Sequence, residues 1–184
     1  VNIKKTDLLM DPDQTINDQQ YRKIKSLTRQ LRTYKPIQRI LGQADFYNLT
    51  LKVNQHTMVP RQETEELVEW ILDNTASEKR ILDIGTGTGC IAIALASNLP
   101  GAKVSALDIS RQILKVAREN AARNEVDIKF VLADVLKENI SHESYDVIVS
   151  NPPYIRESEK KFMHRNVLDY DPEKALFVED EDPL

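Results

Sequence analysis

The feature that most constrains the fold is a glycine-rich turn between an apolar strand and an apolar helix. Arg80 to Ile84 has the composition of a strand, and Cys90 to Leu99 that of a helix, which ends at Pro100-Gly101. Between them runs Gly85-Thr86-Gly87-Thr88-Gly89, where glycine allows a tight turn and lets a ligand approach the backbone closely. This order of elements predicts a parallel α/β sheet with a nucleotide-like ligand at the turn.

Further strands and helices alternate after this unit. Strands are predicted at 103–107, 127–132 and 145–150, and a helix from Ser110 to about Asn124. The last of these strands is apolar enough to be buried on both faces, as parallel strands usually are. The pattern therefore predicts one α/β domain over 61–184.

An amphipathic helix is predicted near the amino end. Its apolar residues recur at spacings of three and four, and they are Tyr21, Ile24, Leu27, Leu31 and Tyr34. The helix begins at Asn17 or Asp18 and ends just before Pro36. A lone helix cannot bury its own apolar stripe, so we expect it to pack on the following domain or on helices that precede Val1.

A β-hairpin is predicted to link this helical segment, residues 1–42, to the α/β domain. Residues 43–60 contain alternating strand-like runs around the turn-prone Asn54-Gln55-His56. Pro60 closes the hairpin, and apolar residues at helical spacing then define a helix from about Glu63 to Asn74.

Composition argues against several classes of function. No stretch approaches the roughly 18 apolar residues that span a bilayer, and the polar start lacks the apolar core of a signal peptide, so we expect a cytoplasmic protein. One cysteine and three widely separated histidines (His56, His142 and His164) predict neither a disulfide nor a metal site. With 25 basic and 29 acidic residues, the net charge of -4 argues against nucleic acid as the direct substrate.

The glycine turn indicates which cofactor binds. Its spacing is GxGxG with an acid two residues before it, whereas a nicotinamide fingerprint would have its third glycine at position 90, which is Cys90. We therefore favour S-adenosylmethionine over NAD. The candidate cofactor residues are Gly85, Thr86, Gly87, Thr88, Gly89, Asp108, Asp134, Val135 and Asn151.

Two of these candidates are aspartates that follow strands. Asp108 comes about 20 residues after the glycines, where a carboxylate can accept hydrogen bonds from both ribose hydroxyls. The alternative, that Asp108 is the N-cap of the next helix, is weaker because Ser110 already supplies a cap. Asp134 could accept a hydrogen bond from the adenine amino group, or could equally be a turn or helix-cap residue.

The most informative motif is Asn151-Pro152-Pro153-Tyr154, directly after the last predicted strand, where open α/β sheets bind ligands. An amide nitrogen is a weak nucleophile because its lone pair is delocalised, so methylating it requires acceptors for its N–H groups. The side-chain carbonyl of Asn151 and the backbone carbonyl of Pro152 are such acceptors.

The rest of this motif supports the same chemistry. The two prolines stiffen the backbone, and Tyr154 offers a flat face to a planar substrate group. Alone, the motif would indicate a simple turn, but beside the glycine turn it predicts methylation of a planar amide or amine nitrogen. The predicted catalytic residues are Asn151, Pro152 and Tyr154, and the substrate-binding residues are these three with Pro153.

Together these motifs resemble the amino-methyltransferases, and three stretches are similar to the HemK (PrmC) family. The stretches are Pro36-Ile37-Gln38-Arg39-Ile40-Leu41-Gly42, Pro60-Arg61-Gln62-Glu63-Thr64-Glu65 and Ser150 to Ile155. Members of that family methylate the side-chain amide of the glutamine in the Gly-Gly-Gln loop of class I peptide-chain release factors. The resemblance runs from about Thr6 to Leu184.

The resemblance implies an α/β fold class: a Rossmann-like, class I S-adenosylmethionine-dependent methyltransferase sheet, incomplete here, preceded by a helical segment and a β-hairpin linker. Residues 1–42 would be part of a helical substrate-recognition domain, 43–60 the linker and 61–184 the catalytic domain. S-adenosylmethionine would be the cofactor and class I release factors the partners.

The chain departs from the family pattern in two ways. Gln62 stands where the family usually has proline, and members begin before Val1 and continue beyond Leu184 with further strands. We therefore expect a sheet of four strands here. Numbered along the chain, the strands should lie side by side in the order 3-2-1-4, with strand four as an exposed edge. Three alternatives stay open: methylation of a ribosomal-protein glutamine, methylation of an amino group on a flipped nucleic-acid base, and a binding module without turnover.

Overall fold

The computed structural model of the chain describes residues 10–11, 13, 15–137 and 144–181. Helix α1 (Asp18–Leu31) begins where the sequence predicts, because the side chain of Asn17 accepts the backbone N–H of Gln20 and the side chain of Gln20 accepts that of Asn17. The predicted extension to Tyr34 is wrong, since that residue takes a positive φ of 63°. No residue of α1 is buried, and most of its apolar stripe is exposed among the described residues, with Leu27 half-buried.

A short helix, α2 (Ile37–Leu41), leads into the hairpin of β1 (Gln43–Phe46) and β2 (Leu49–Lys52). The hairpin is confirmed, but its predicted turn at Asn54-Gln55-His56 is wrong. The strands are joined by Tyr47-Asn48, whose φ angles are 45° and 62°. Two successive residues with positive φ match the twist of paired antiparallel strands, and asparagine tolerates that conformation better than most residues.

Four parallel strands form the central sheet in the order β5-β4-β3-β6. They are β3 (Arg80–Ile84), β4 (Lys103–Asp108), β5 (Lys129–Leu132) and β6 (Val147–Ser150). This is the predicted order, although β5 and β6 each begin two residues later than predicted. Ile84 pairs with Leu107 on one side and with Ser150 on the other, so three strands end at the same level. Residues that follow these strands therefore meet at one edge of the sheet.

Three helices accompany the sheet: α3 (Glu63–Asn74), α4 (Cys90–Asn98) and α5 (Arg111–Arg123). Helix α4 is apolar on nearly every side, and Ile91 to Leu95 are all buried. These residues form the main core with buried side chains of β3, β4 and α3. Because each fully buried aliphatic side chain stabilises the fold by about 1.5 to 3 kcal/mol, this core holds the strand ends firmly.

Asn120, a fully buried polar residue of α5, connects the hairpin to the glycine turn. Its Oδ1 accepts the backbone N–H of Lys52 at 2.6 Å. Its Nδ2 donates to the carbonyls of Lys52 at 3.0 Å and Thr88 at 2.9 Å. The hairpin and the predicted cofactor turn are thus joined through one side chain.

The chain after β6 forms what we call the 155–178 segment. Its first strand, β7 (Ile155–Arg156), pairs in parallel with its last, β8 (Phe177–Val178). Between them lie two short 3-10 helices and α6 (Arg165–Leu168). Among the described residues no strand pairs with the outer side of β6, and Ile148 is 63% exposed, so the predicted exposed edge is confirmed. Of the residues of β6 only Val149 is buried, so the predicted burial of this strand on both faces is wrong.

No helix in the described part of the chain is long and apolar enough to cross a membrane. The division into three domains at residues 42 and 60 stays a prediction.

Candidate functional site

The glycine turn joins β3 to α4 at the edge of the sheet where the parallel strands end. The N–H groups of Gly85 and Thr86 both donate to the carbonyl of Leu107 at 2.9 Å, which fixes the turn to β4. A Cβ at Gly85 would meet no heavy atom within 4 Å. At Gly89, where φ is 83°, an added Cβ would lie 3.0 Å from the Ile93 side chain. The turn therefore leaves open space on one side and allows close helix packing on the other.

A buried carboxylate lies beneath this turn. Asp83 is 1% exposed; its Oδ2 accepts the hydroxyl of Thr86 at 2.6 Å, and its Oδ1 has no partner among the described residues. Burial is the largest influence on this group and raises the pKa of Asp83 to about 6, although the bond from Thr86 opposes the shift. Burial, together with the charge of Asp83, raises the pKa of Cys90 to about 12, so that side chain is a thiol at neutral pH.

Asp108, at the end of β4, holds the glycine turn from the other side. Its Oδ2 accepts the N–H of Gly87 at 3.2 Å, and its Oδ1 accepts that of Ser110 at 2.9 Å. Burial raises the pKa of Asp108, against these two bonds, which lower it. Ser110 is the N-cap of α5, as expected, and accepts the N–H of Ile113. Each oxygen of Asp108 keeps capacity for a second hydrogen bond, which ribose hydroxyls would require.

Asp134 follows β5 at the same edge of the sheet. Its Oδ1 accepts the N–H of Leu136 at 3.1 Å, and its Oδ2 lies 3.1 Å from the Nζ of Lys137. The bond from Lys137 is the main reason that the pKa of Asp134 is lowered. These contacts agree with the turn interpretation that the sequence left open. Val135 is 41% exposed, and the role of both residues in cofactor binding stays a prediction.

The Asn-Pro-Pro-Tyr motif lies beside the glycine turn. The hydroxyl of Ser150 donates to the carbonyl of Ile84 at 2.9 Å, and Ile84 immediately precedes Gly85. Asn151 comes directly after Ser150, and its Nδ2 donates to Oγ1 of Thr64 at 3.3 Å. Thr64 is buried in the first turn of α3. This bond engages the donor end of the Asn151 amide, and the other end is the acceptor that a substrate N–H needs.

A cavity of about 470 Å³ opens at this motif. Its lining includes Arg61, Thr64, Leu67, Asn151, Pro152, Tyr154, Met163, Val167 and Leu176. A mostly apolar wall with a few polar groups is typical of sites for small ligands or single side chains. The structure thus brings Asn151, Pro152 and Tyr154 to one cavity, with Tyr154 itself 66% exposed, while Pro153 is not among the lining residues described.

Sequence reasoning missed several residues of this site. Thr64 and Arg61 lie in a stretch that carries the family resemblance but for which the sequence predicts no role, and Asp83 is predicted only as the acid before the glycine turn. Thr64 is 87 residues from Asn151, so no rule of local spacing could reveal their contact. Across the described ranges no group of His, Cys, Asp and Glu side chains could hold a metal ion, and His142 lies outside those ranges.

Two family models match the chain. One, described as the methyltransferase small domain, matches residues 62–170, and the other, the PrmC N-terminal domain, matches residues 1–42. The release factor glutamine methyltransferase of Flavobacterium psychrophilum is 48% identical over 99% of this chain and 66% of that protein. The chain spans about two thirds of the length of the curated relatives it matches.

Two solved structures share the fold. The Pyrococcus abyssi tRNA (uracil-54, C5)-methyltransferase, in complex with S-adenosyl-L-homocysteine, has a TM-score of 0.50 at 23% identity, covering 70% of this chain and 30% of that one. The hMettl16 catalytic domain, in complex with MAT2A 3′UTR hairpin 6, has a TM-score of 0.52 at 22% identity, covering 73% and 52%. These likenesses confirm the predicted Rossmann-like, class I methyltransferase fold. With a matching model over more than half of its length, and with the HemK (PrmC) resemblance confirmed, the chain belongs to the methyltransferase small-domain family.

Proposed function

We propose that this chain is the cofactor-binding and acceptor-binding part of an enzyme that methylates a glutamine side chain. The substrate would be the glutamine in the Gly-Gly-Gln motif of class I peptide-chain release factors, and the methyl donor S-adenosylmethionine. The observation that carries the proposal is the position of Asn151, beside the glycine turn and on the wall of a cavity. The names of the relatives support the choice of substrate, and because that substrate is a translation factor we propose that the reaction takes place in the cytoplasm.

The residues at the strand ends fit the proposed cofactor. The open space at Gly85 admits a ligand against the backbone, and the remaining acceptor capacity of Asp108 suits the ribose hydroxyls. The charge and unpartnered Oδ1 of Asp83 would attract the amino group of the cofactor, directly or through a water molecule. Asp134 and Val135 would border the adenine. When bound, S-adenosylmethionine supplies an electrophilic methyl group on a positively charged sulfur.

The acceptor would be oriented by the Asn-Pro-Pro-Tyr motif. Asn151 Oδ1 would accept one N–H of the glutamine amide, and the carbonyl of Pro152 the other, while the ring of Tyr154 would lie along the amide plane. Two acceptors at fixed positions determine where the nitrogen lone pair points, and orientation of this kind is worth several kcal/mol of the activation barrier.

No strong base is required in this arrangement. The positively charged sulfur of S-adenosylmethionine would already activate the methyl group, so the residues around the glutamine would need only to orient its nitrogen, and the amide proton would pass to water. The described histidines, His56 and His164, are not among the residues that line the cavity. Glu63 is the carboxylate among the described lining residues, and the proposed reaction does not require it as a base, so the proposed role of the chain is positioning rather than proton abstraction.

The test is methyl transfer from labelled cofactor by the whole protein, offered an unmodified class I release factor, ribosomal proteins and DNA in separate reactions. Label on the glutamine of the Gly-Gly-Gln motif is the expected result. Label on a ribosomal-protein glutamine or on adenine would replace the proposed substrate. Cofactor binding without transfer to any of the three would contradict the proposed enzyme and favour a binding module.

A further inference from the structure

A buried carboxylate beside the acceptor cavity joins three parts of the chain. Asp171 belongs to the 155–178 segment, and its side chain is 1% exposed. Its Oδ1 lies 2.7 Å from Nη2 of Arg39, in α2, and its Oδ2 lies 2.6 Å from Nη2 of Arg61, which precedes α3 and lines the cavity. Charge-assisted bonds of this kind are strong, and breaking them leaves a buried charge without its partner.

Arg39 extends this cluster to a fourth part of the chain. Its side chain is only 5% exposed. Besides Asp171, its guanidinium donates to the backbone carbonyls of Asn54 and Thr57. The cluster therefore connects α2, the loop after the hairpin, the start of α3 and the 155–178 segment.

A second set of contacts joins the residues around α2 to the 155–178 segment. The hydroxyl of Tyr170 donates to the carbonyl of Thr33 at 2.8 Å and lies 2.9 Å from its Oγ1. The guanidinium of Arg165 lies 5.1 Å from the centroid of the Tyr34 ring, and the His164 ring meets that ring edge-on at 5.8 Å. Residues 33–39, between α1 and the end of α2, thus contact residues 164–171 repeatedly.

The position of Asp171 links these contacts to the cavity wall. Its backbone N–H donates to the carbonyl of Val167 at 2.8 Å, and Val167 lines the cavity. Leu176, five residues further along, lines it as well. A displacement at Asp171 would therefore move both side chains. By contrast, Gly85 and Asp108 are held by bonds between β3, β4 and α5.

We propose that Asp171 is a positioning residue for the acceptor side of the site. It anchors the wall that contains Val167 and Leu176 to the region that carries Arg39, so that acceptor binding depends on it and cofactor binding does not. This inference rests on the proposed function. It predicts that loss of Asp171 raises the KM for the protein substrate and leaves the affinity for S-adenosylhomocysteine unchanged.

The experiment compares Asp171→Asn in the whole protein with Asp73→Asn. Asp73 is the matched control, because its side chain is exposed in α3 and the chemical change is the same. For Asp171→Asn we expect a KM for the unmodified release factor at least about tenfold higher, a kcat within about threefold of the wild type and a Kd for S-adenosylhomocysteine within about twofold. For Asp73→Asn all three values should stay within about twofold of the wild type.

Tyr170→Phe serves as the second variant where Asp171→Asn does not fold, since it removes the contacts with Thr33 and leaves the ionic cluster intact. We expect faster amide hydrogen exchange over residues 163–176 and a KM about threefold higher. A folded Asp171→Asn variant with wild-type KM would overturn the inference. So would a variant whose Kd for S-adenosylhomocysteine rises by as large a factor as its KM. So would Tyr170→Phe with unchanged exchange and KM. If the wild type transfers no methyl group, the proposed function fails instead, and the exchange rates still test the anchoring.

Discussion

Replacing Asp83 by asparagine should stabilise the ligand-free protein at neutral pH and weaken its binding of the cofactor. The pKa of Asp83 is about 6 in the folded protein, against an ordinary value of 3.8, chiefly because the group is buried. Since the folded state holds the proton more tightly than the unfolded state does, the stability from this group is fully present below pH 3.8 and is lost as the pH rises through 6. A difference of this size corresponds to about 3 kcal/mol of unfolding free energy.

The assay is urea unfolding of the ligand-free wild type and of Asp83→Asn between pH 3 and pH 8. The variant should gain stability relative to the wild type as the pH rises, approaching about 3 kcal/mol above pH 7. Asp146→Asn is the control, and its pH dependence should have the opposite sign. The hydrogen bond from the backbone N–H of Arg80, followed by that from the side chain of Lys79, lowers the pKa of Asp146. The stability from Asp146 is therefore present above pH 3.8 and is lost as the pH falls further.

Cofactor binding gives the second half of this prediction. An ionised Asp83 should attract the amino group of S-adenosylhomocysteine, so the affinity of the wild type should rise between pH 5 and pH 7 as the carboxylate loses its proton. The variant should bind more weakly, with a flatter pH profile. Parallel unfolding profiles for wild type and Asp83→Asn would refute the argument from burial, and equal cofactor affinity would remove Asp83 from the site.

Three further predictions concern the turn and the acceptor. Asp108→Ala should weaken S-adenosylhomocysteine binding at least about tenfold in calorimetry, and unchanged affinity would exclude it from the ribose site. Gly89→Ala should lower the free energy of unfolding by about 1 to 3 kcal/mol, because the positive φ and the nearby Ile93 oppose a side chain; wild-type stability in urea would contradict this. Thr64→Val should lower kcat without changing cofactor affinity, because it removes the hydroxyl that accepts the hydrogen bond from Asn151. Thr64→Ser keeps a hydroxyl and should retain the wild-type kcat, so equal rates for the two variants would refute the role of this bond.

Much of the fold could be predicted because its signals are local. The helix Glu63–Asn74 has the bounds that its apolar spacing indicates, and the strands follow from short apolar runs between turn residues. The hairpin turn could not be located in this way. Asn54-Gln55-His56 has the stronger turn composition, whereas Tyr47-Asn48 reaches its positive φ angles only because the two strands pair around it.

The residues of the site also differ in whether local signals in the sequence could predict them. Asp108 and Asn151 could be selected because the carboxyl ends of parallel strands meet at one edge of a sheet. Thr64 and Asp171 could not, since each acts through a side chain far away in sequence: Asp171 contacts Arg39 across 132 residues. Contacts of this kind leave no periodicity and no spacing in one sequence, so only the folded structure identifies them.

The central claim is that Asn151 orients a glutamine amide for methylation, and mass spectrometry of the release-factor glutamine tests it most directly. The wild type should methylate the glutamine of the Gly-Gly-Gln motif. Asn151→Ala should retain its fold and cofactor affinity yet lower the rate by orders of magnitude, because positioning is worth several kcal/mol. Asn74→Ala, at the exposed end of α3, is the matched control and should keep the wild-type rate. Methylation by Asn151→Ala at the wild-type rate would contradict the account.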